Sequence, residues 1–147
     1  MLLKLMMSPA GMKFDKVLVR WLGFSWCCIL FAKNIGIQPR PALLLVTTGR
    51  KTGKERASVL PYFQVGKTKF VIGSKGGAPT DPLWVENLRA KPAVRIVVDR
   101  RSRHATARIA TGAERETLWQ EVGRMVPTYT DYQSLTTREI PVVILEG

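Results

Sequence analysis

Ten residues of this chain, TTGRKTGKER from Thr47 to Arg56, set four cations (Arg50, Lys51, Lys54 and Arg56) around two glycines with one acid, Glu55. Guanidinium forks and ammonium groups give charge-assisted hydrogen bonds to anions, and glycine lets backbone N–H groups turn toward the same ligand. Gly49 and Gly53 are expected to adopt positive φ for that purpose. A second stretch, Ser74-Lys75-Gly76-Gly77-Ala78-Pro79, repeats the pairing of glycine and cation. Two such loops could close on one phosphorylated ligand. A charged hairpin tip exposed only to water is the plainer alternative.

The first loop is not a nucleotide-binding loop of the known kinds. A P-loop needs four residues between its glycines, a Lys-Ser/Thr end and a following helix. Here three residues separate Gly49 from Gly53, and Glu55 follows Lys54. No G-x-G-x-x-G turn or βαβ unit is present, so the dinucleotide fingerprint fails too. Hydrolytic chemistry finds no support: there is one histidine, His104, expected at the surface of a strand, and no nucleophile elbow. One histidine and no C-x-x-C spacing argue against zinc. The adjacent Cys27 and Cys28 read as reduced thiols.

The elements that must position the loops are mostly strands. Ala42–Thr48 is a nearly continuous apolar, β-branched run and predicts a buried strand. Arg56–Gln64 and Thr68–Ser74 follow across tight turns, which makes these pairs antiparallel. Asp81-Pro82 predicts an N-capped helix to Ala90. Ala93–Asp99 and His104–Ala110 are strands about a basic turn, Arg100–Arg103. Thr111 caps a helix to Val126, a polar loop carries Tyr129 and Tyr132, and Ile140–Leu145 is the last strand. Six strands with few helices suit a small closed or split barrel better than a doubly wound sheet.

The length of 147 residues is one domain's worth, and the net charge of +12 with a pI near 10.3 favours anionic partners. Nucleic acid is disfavoured, because the cations gather at glycine turns without interleaved aromatic stacking residues. Residues 1–40 form an N-terminal arm closed by Pro39-Arg40-Pro41, and residues 41–147 form the main domain. The arm's most apolar run, Val17–Ala32, is short for a membrane span and has no signal-peptide cleavage site. A cytoplasmic protein is expected. Two readings of the arm stay open: an amphipathic helix packed on the domain or a partner subunit, or an interfacial helix with Lys4, Lys13, Lys16, Arg20 and Lys33 facing anionic lipid at the inner membrane face.

Three segments, LLLVTTGRKTGKERASVLPY, SKGGAPTDPLWVENLRAKPAV and YTDYQSLTTREIPV, resemble the deazaflavin-dependent nitroreductase family, in the family's order and over roughly Pro41 to Glu146. The resemblance implies an α+β, mainly β fold: a six-stranded antiparallel split β-barrel of the FMN-binding type with flanking helices. It implies coenzyme F420, an 8-hydroxy-5-deazaflavin with a ribityl phosphate and an acidic tail, with FMN or FAD as the alternative. By that likeness Arg50, Lys51, Gly53 and Arg56 bind the phosphate and tail, with contacts from Thr52 and Ser58. Ser74, Lys75, Gly76, Gly77 and Ala78 lie along the ring, and Trp84 and Asn87 lie near ring or tail. Trp84 as a core anchor and Asn87 in solvent are the bland readings.

Tyr129 and Tyr132 match the family's substrate wall. With Ser74 they are the groups expected to stabilise charge as a hydride passes to a small electron-poor acceptor: a quinone, a nitroaromatic or an activated alkene. Arg138 binds an anion or braces the loop, and Trp21, Phe24 and Trp26 are candidate lids. The resemblance also implies that two copies can pair as a homodimer. A non-catalytic binder of cofactor or apolar ligand is the remaining alternative.

Overall fold

The computed structural model describes residues 2–147, with the side chain of Leu3 outside the description. Three helices come first: α1 (Leu2–Met6), α2 (Pro9–Leu22) and α3 (Trp26–Asn34). Strands β1 (Ala42–Thr48), β2 (Glu55–Val65) and β3 (Thr68–Ile72) lead into a 3-10 turn (Lys75–Gly77) and α4 (Leu83–Ala90). Then come β4 (Ala93–Val98), β5 (Arg101–Ile109), α5 (Gly112–Met125), α6 (Thr128–Ser134) and β6 (Val142–Glu146).

The six strands form a closed antiparallel barrel in the order β1-β2-β3-β6-β5-β4, and β4 pairs back onto β1. Every strand therefore has two neighbours and no edge is left to pair outside. Alternation explains why β1 and β6 carry unbroken apolar runs, over residues 42–46 and 142–145. In β1, Leu43 and Leu45 point into the barrel with Val71, Ile96 and Val143. Leu44 and Val46 point outward under Val19 of α2. In β6, Val143 and Leu145 face the interior, while Val142 and Ile144 face Leu118 and Val122 of α5. Both faces are covered, so both parities must be apolar. Each such side chain, fully buried, contributes about 1.5–3 kcal/mol.

Three expectations are corrected. The arm's apolar run is not one helix. Gly23 ends α2 at φ 77°, and Ser25 caps α3 by accepting a hydrogen bond from Cys28 N at 3.0 Å. Ser25 also donates to the buried Asp15 carboxylate at 2.6 Å, which fixes the corner between the two helices. Asp81 does not cap α4; Pro82 occupies that position, and the Asp81 carboxylate turns to Arg89 and Arg138, both at 2.6 Å. Two guanidinium partners outweigh one cap hydrogen bond. The tyrosine segment is a helix, α6, entered through Pro127 at φ −55°.

Candidate functional site

A cavity of about 550 Å³ opens between the arm and the barrel. Cys27, Cys28, Phe31 and Ala32 of α3 form one wall, and Leu60 and Pro61 of β2 another. Ser74, Lys75 and Gly76 come from the glycine loop, Trp84 from α4, and Tyr129 and Tyr132 from α6. Arg40 also lines it. Trp21 and the Phe24–Trp26 pair do not line this cavity; the arm supplies Cys27, Cys28 and Phe31 in place of the expected lids.

The glycine loop is held from behind. Lys75, Gly76 and Gly77 have successive φ values of 47°, 62° and 79°. A Cβ on Gly76 would meet nothing within 4 Å, so its bare backbone leaves a flat opening. A Cβ on Gly77 would lie 2.7 Å from the Tyr132 carbonyl oxygen, so loop and α6 touch there. Arg138 is a brace: its guanidinium donates to the carbonyls of Gly73 (3.2 Å), Ser74 (2.7 Å) and Ala78 (2.8 Å), and pairs with Asp81.

The cation hairpin lies outside the cavity lining, as do Gly77, Ala78 and Ser58. It is tied to the same helix. Asn87 is buried, not solvated: its Oδ1 accepts from Arg50 N at 3.1 Å and its Nδ2 donates to Thr47 Oγ1 at 3.2 Å. Trp84 belongs to the core and to the cavity wall at once. Trp84 and Asn87 stand about one turn apart on α4, roughly 4.5 Å along its axis. A ligand with an apolar ring and an anionic tail could therefore use both regions.

Within the hairpin, Gly53 has φ 69°, as expected, but Gly49 does not. Gly49 is needed for space, since a Cβ there would sit 2.7 Å from Thr52 Oγ1. Thr52 Oγ1 itself accepts from Lys54 N at 3.3 Å, and Arg50, Lys51 and Arg56 stay exposed.

Tyr129 stacks edge-on against Phe63 (5.7 Å) and Tyr132 (5.9 Å). Burial pushes both hydroxyls above the ordinary tyrosine value, so they are proton-bearing donors at neutral pH. Burial and the Asp15 carboxylate push the Cys27 thiol up to about 11, and burial raises Cys28 as well. These thiols line the cavity without being activated as nucleophiles. Among the described residues no group of three or more His, Cys, Asp or Glu converges as metal ligands would. The site suits a largely apolar ligand held by a few donors, and a bound redox cofactor would bring the reactivity.

Sequence reasoning missed Arg40, and it placed the arm at the pocket through Trp21, Phe24 and Trp26 where Cys27, Cys28 and Phe31 form the wall. The Pro-Arg-Pro bracket was a usable signal: a cation with prolines on both sides has little backbone freedom.

The family model described as F420H(2)-dependent quinone reductase matches residues 32–147. An F420H(2)-dependent quinone reductase of Mycobacterium tuberculosis (strain ATCC 25618 / H37Rv) is 42% identical over 108 residues, covering 71% of this chain and 72% of the relative. A solved F420-H2 dependent reductase superposes with TM-score 0.66 at 37% identity, covering 75% of this chain and 97% of that one. A solved domain-swapped dimer has TM-score 0.66 at 36% identity, covering 76% of this chain and 86% of its own. A model spanning most of the chain, together with relatives alike in sequence and in barrel architecture, places the protein in the F420H(2)-dependent quinone reductase family.

Proposed function

We propose that this protein uses reduced coenzyme F420 to reduce a quinone held in the cavity between α3, the glycine loop and α6. The observation that carries the reading is the joining of the two regions by α4: an apolar, glycine-floored cavity at Trp84 and an exposed cation hairpin anchored through Asn87. The bound coenzyme would supply a hydride. Arg50, Lys51 and Arg56 hold its phosphate and tail, with Gly53 shaping the turn and Thr52 and Ser58 adding contacts. Ser74, Lys75 and Gly76 present the ring face, with Gly77 and Ala78 shaping the loop behind them, Trp84 walls it, and Asn87 positions the Arg50 backbone. Ser74, Tyr129 and Tyr132 donate hydrogen bonds where negative charge grows on the acceptor. Residues 1–40 act as an arm that walls the pocket of the 41–147 barrel domain.

The test is titration with oxidised and reduced coenzyme, then turnover of quinones, nitroaromatics and enones. Tight binding of FMN alone would overturn the cofactor assignment, and reduced coenzyme that binds but is oxidised by none of these acceptors would overturn the activity. Lys51→Ala and Arg56→Ala are each expected to weaken coenzyme binding by roughly 1.5–3 kcal/mol, the worth of a charge-assisted hydrogen bond. Unaltered dissociation constants in both would make the hairpin an ordinary solvated tip.

The arm supports peripheral contact with an anionic membrane. Phe14, Val17 and Trp21 stand on the outer side of α2, all exposed, with the exposed Lys13 and Arg20 beside them. No described helix is long and apolar enough to cross a membrane. Lys13→Glu with Arg20→Glu should weaken binding to anionic vesicles by about 1 kcal/mol or more per cation. Equal partitioning of the native protein into neutral and anionic vesicles would remove this role. The same reading includes a homodimer, and a monomer mass in sedimentation equilibrium would exclude it.

A further inference from the structure

We infer that Arg40 is a direct ligand of the acceptor oxygen, the group that receives negative charge when a quinone is reduced; this rests on the reading above. Arg40 lines the cavity, and its guanidinium carbon lies 4.7 Å from the centroid of the Phe63 ring. Its Nε is buried and has no hydrogen-bond partner among the described residues. It takes part in none of the ion pairs found among them. Buried donors are rarely left unmade, because the lost hydration is not replaced. Arg115 Nε also lacks a hydrogen bond, but it lies 3.0 Å from a Glu139 carboxylate oxygen, and that charge explains it. Nothing in the described structure does the same for Arg40.

Its backbone is pinned on both sides. Pro39 and Pro41 flank it, and the Pro41 carbonyl accepts from Tyr62 N at 3.1 Å where β1 and β2 begin to pair. The stacked Phe63 ring holds the side chain, and Tyr129 packs edge-on against that same ring. The guanidinium is thus placed in advance beside a largely apolar pocket; its Nε is packed away from the opening, and its terminal amino groups are the donors left for an acceptor that comes with the ligand.

The chemistry balances with one cation at this place. A quinone that gains a hydride, with its two electrons, becomes a hydroquinone monoanion, and one proton from water completes the neutral hydroquinone. Arg40 donates to the oxygen that carries the charge, before that proton arrives. It favours the anion over the neutral quinone, which is the condition for lowering the barrier rather than only binding substrate.

A probe without the coenzyme separates this role from the cofactor assignment. 4-Nitrophenol is a planar ring with an oxygen that ionises, and its absorbance reports which form is bound. The coenzyme-free protein is expected to bind the phenolate about tenfold or more tighter than the phenol, and Arg40→Met to lose that preference. Arg40→Lys should restore part of it, since charge remains but the planar fork does not. Replacement of a half-buried cation by an apolar chain is commonly tolerated, so Arg40→Met should fold, with circular dichroism as the check. In turnover, Arg40→Met should lower kcat/KM for benzoquinone by about ten- to a hundredfold and leave the coenzyme dissociation constant unchanged. Absence of probe binding, absence of a phenolate preference, its survival in Arg40→Met, or a loss confined to coenzyme affinity would each overturn the role. Failure of the native protein to bind coenzyme, with the phenolate preference intact, would overturn the cofactor assignment and leave an oxyanion site at Arg40.

Discussion

Arg138→Met is expected to lower the unfolding free energy by about 3 kcal/mol and to remove measurable coenzyme binding at concentrations that saturate the native protein. The guanidinium serves three backbone carbonyls, those of Gly73, Ser74 and Ala78, and one carboxylate, that of Asp81. Its side chain is 14% exposed and that of Asp81 12%, so water does not readily replace what is lost. Orphaned buried acceptors cost roughly 1–3 kcal/mol each. The Asp81 charge is not stranded, because Arg89 still lies 2.6 Å away, and this keeps the figure near the lower end of the range for a broken buried pair. Lysine should recover less than half, since one ammonium cannot span acceptors on both ends of the loop. Urea unfolding supplies the measurement, and a double-mutant cycle with Asp81→Asn should show strong coupling. An unchanged midpoint and slope in Arg138→Met would mean that the loop holds its shape by its own turns.

The barrel was legible where burial is symmetrical and hidden where it is local. β1 was read with its bounds, Ala42 to Thr48, because α2 and the barrel interior cover its two faces and force an apolar run from Ala42 to Val46, which two β-branched threonines extend. α6 was taken for a loop because Thr128–Ser134 carries little apolar periodicity; what holds it is the Tyr129–Phe63 contact and the loop touching Tyr132, neither visible in spacing. Asp81 next to Pro82 has the look of a cap, and only the return of Arg138 from 57 residues away turns it into an ion-pair partner.

The site divided in the same way. Cations at glycine turns advertise themselves, so the hairpin and the loop were found together with their order. The link between them was not, since Asn87 reaches Arg50 N and Thr47 Oγ1 only after α4 has packed across the end of β1. Arg40 was passed over as part of a proline-rich boundary, because the stacking that places its guanidinium depends on Phe63, which lies on the second strand.

Gly76 and Gly77 look equivalent in sequence, yet alanine at each should do different damage. Both have positive φ, 62° and 79°, and each therefore carries a backbone penalty of roughly 1 kcal/mol for a side chain. Gly76→Ala should cost little more, because nothing lies within 4 Å of the new methyl. That methyl would stand on the open face of the loop, so its effect should fall on binding, raising the coenzyme dissociation constant by about tenfold or more through loss of close approach. Gly77→Ala meets the Tyr132 carbonyl oxygen at 2.7 Å and the Leu135 side chain at 3.0 Å and 3.2 Å. A backbone oxygen cannot rotate aside, so either the loop or α6 must move. The expected cost is about 3 kcal/mol or more, the sum of backbone strain and overpacking. Since α6 carries both Tyr129 and Tyr132, the same shift should lower kcat as well as stability, whereas Gly76→Ala should spare turnover at saturating coenzyme. Thermal unfolding and steady-state kinetics of the two variants side by side decide the point. Equal melting temperatures would show that α6 yields freely to the loop, and the tyrosines would then be a mobile wall rather than one fixed by the glycine behind them.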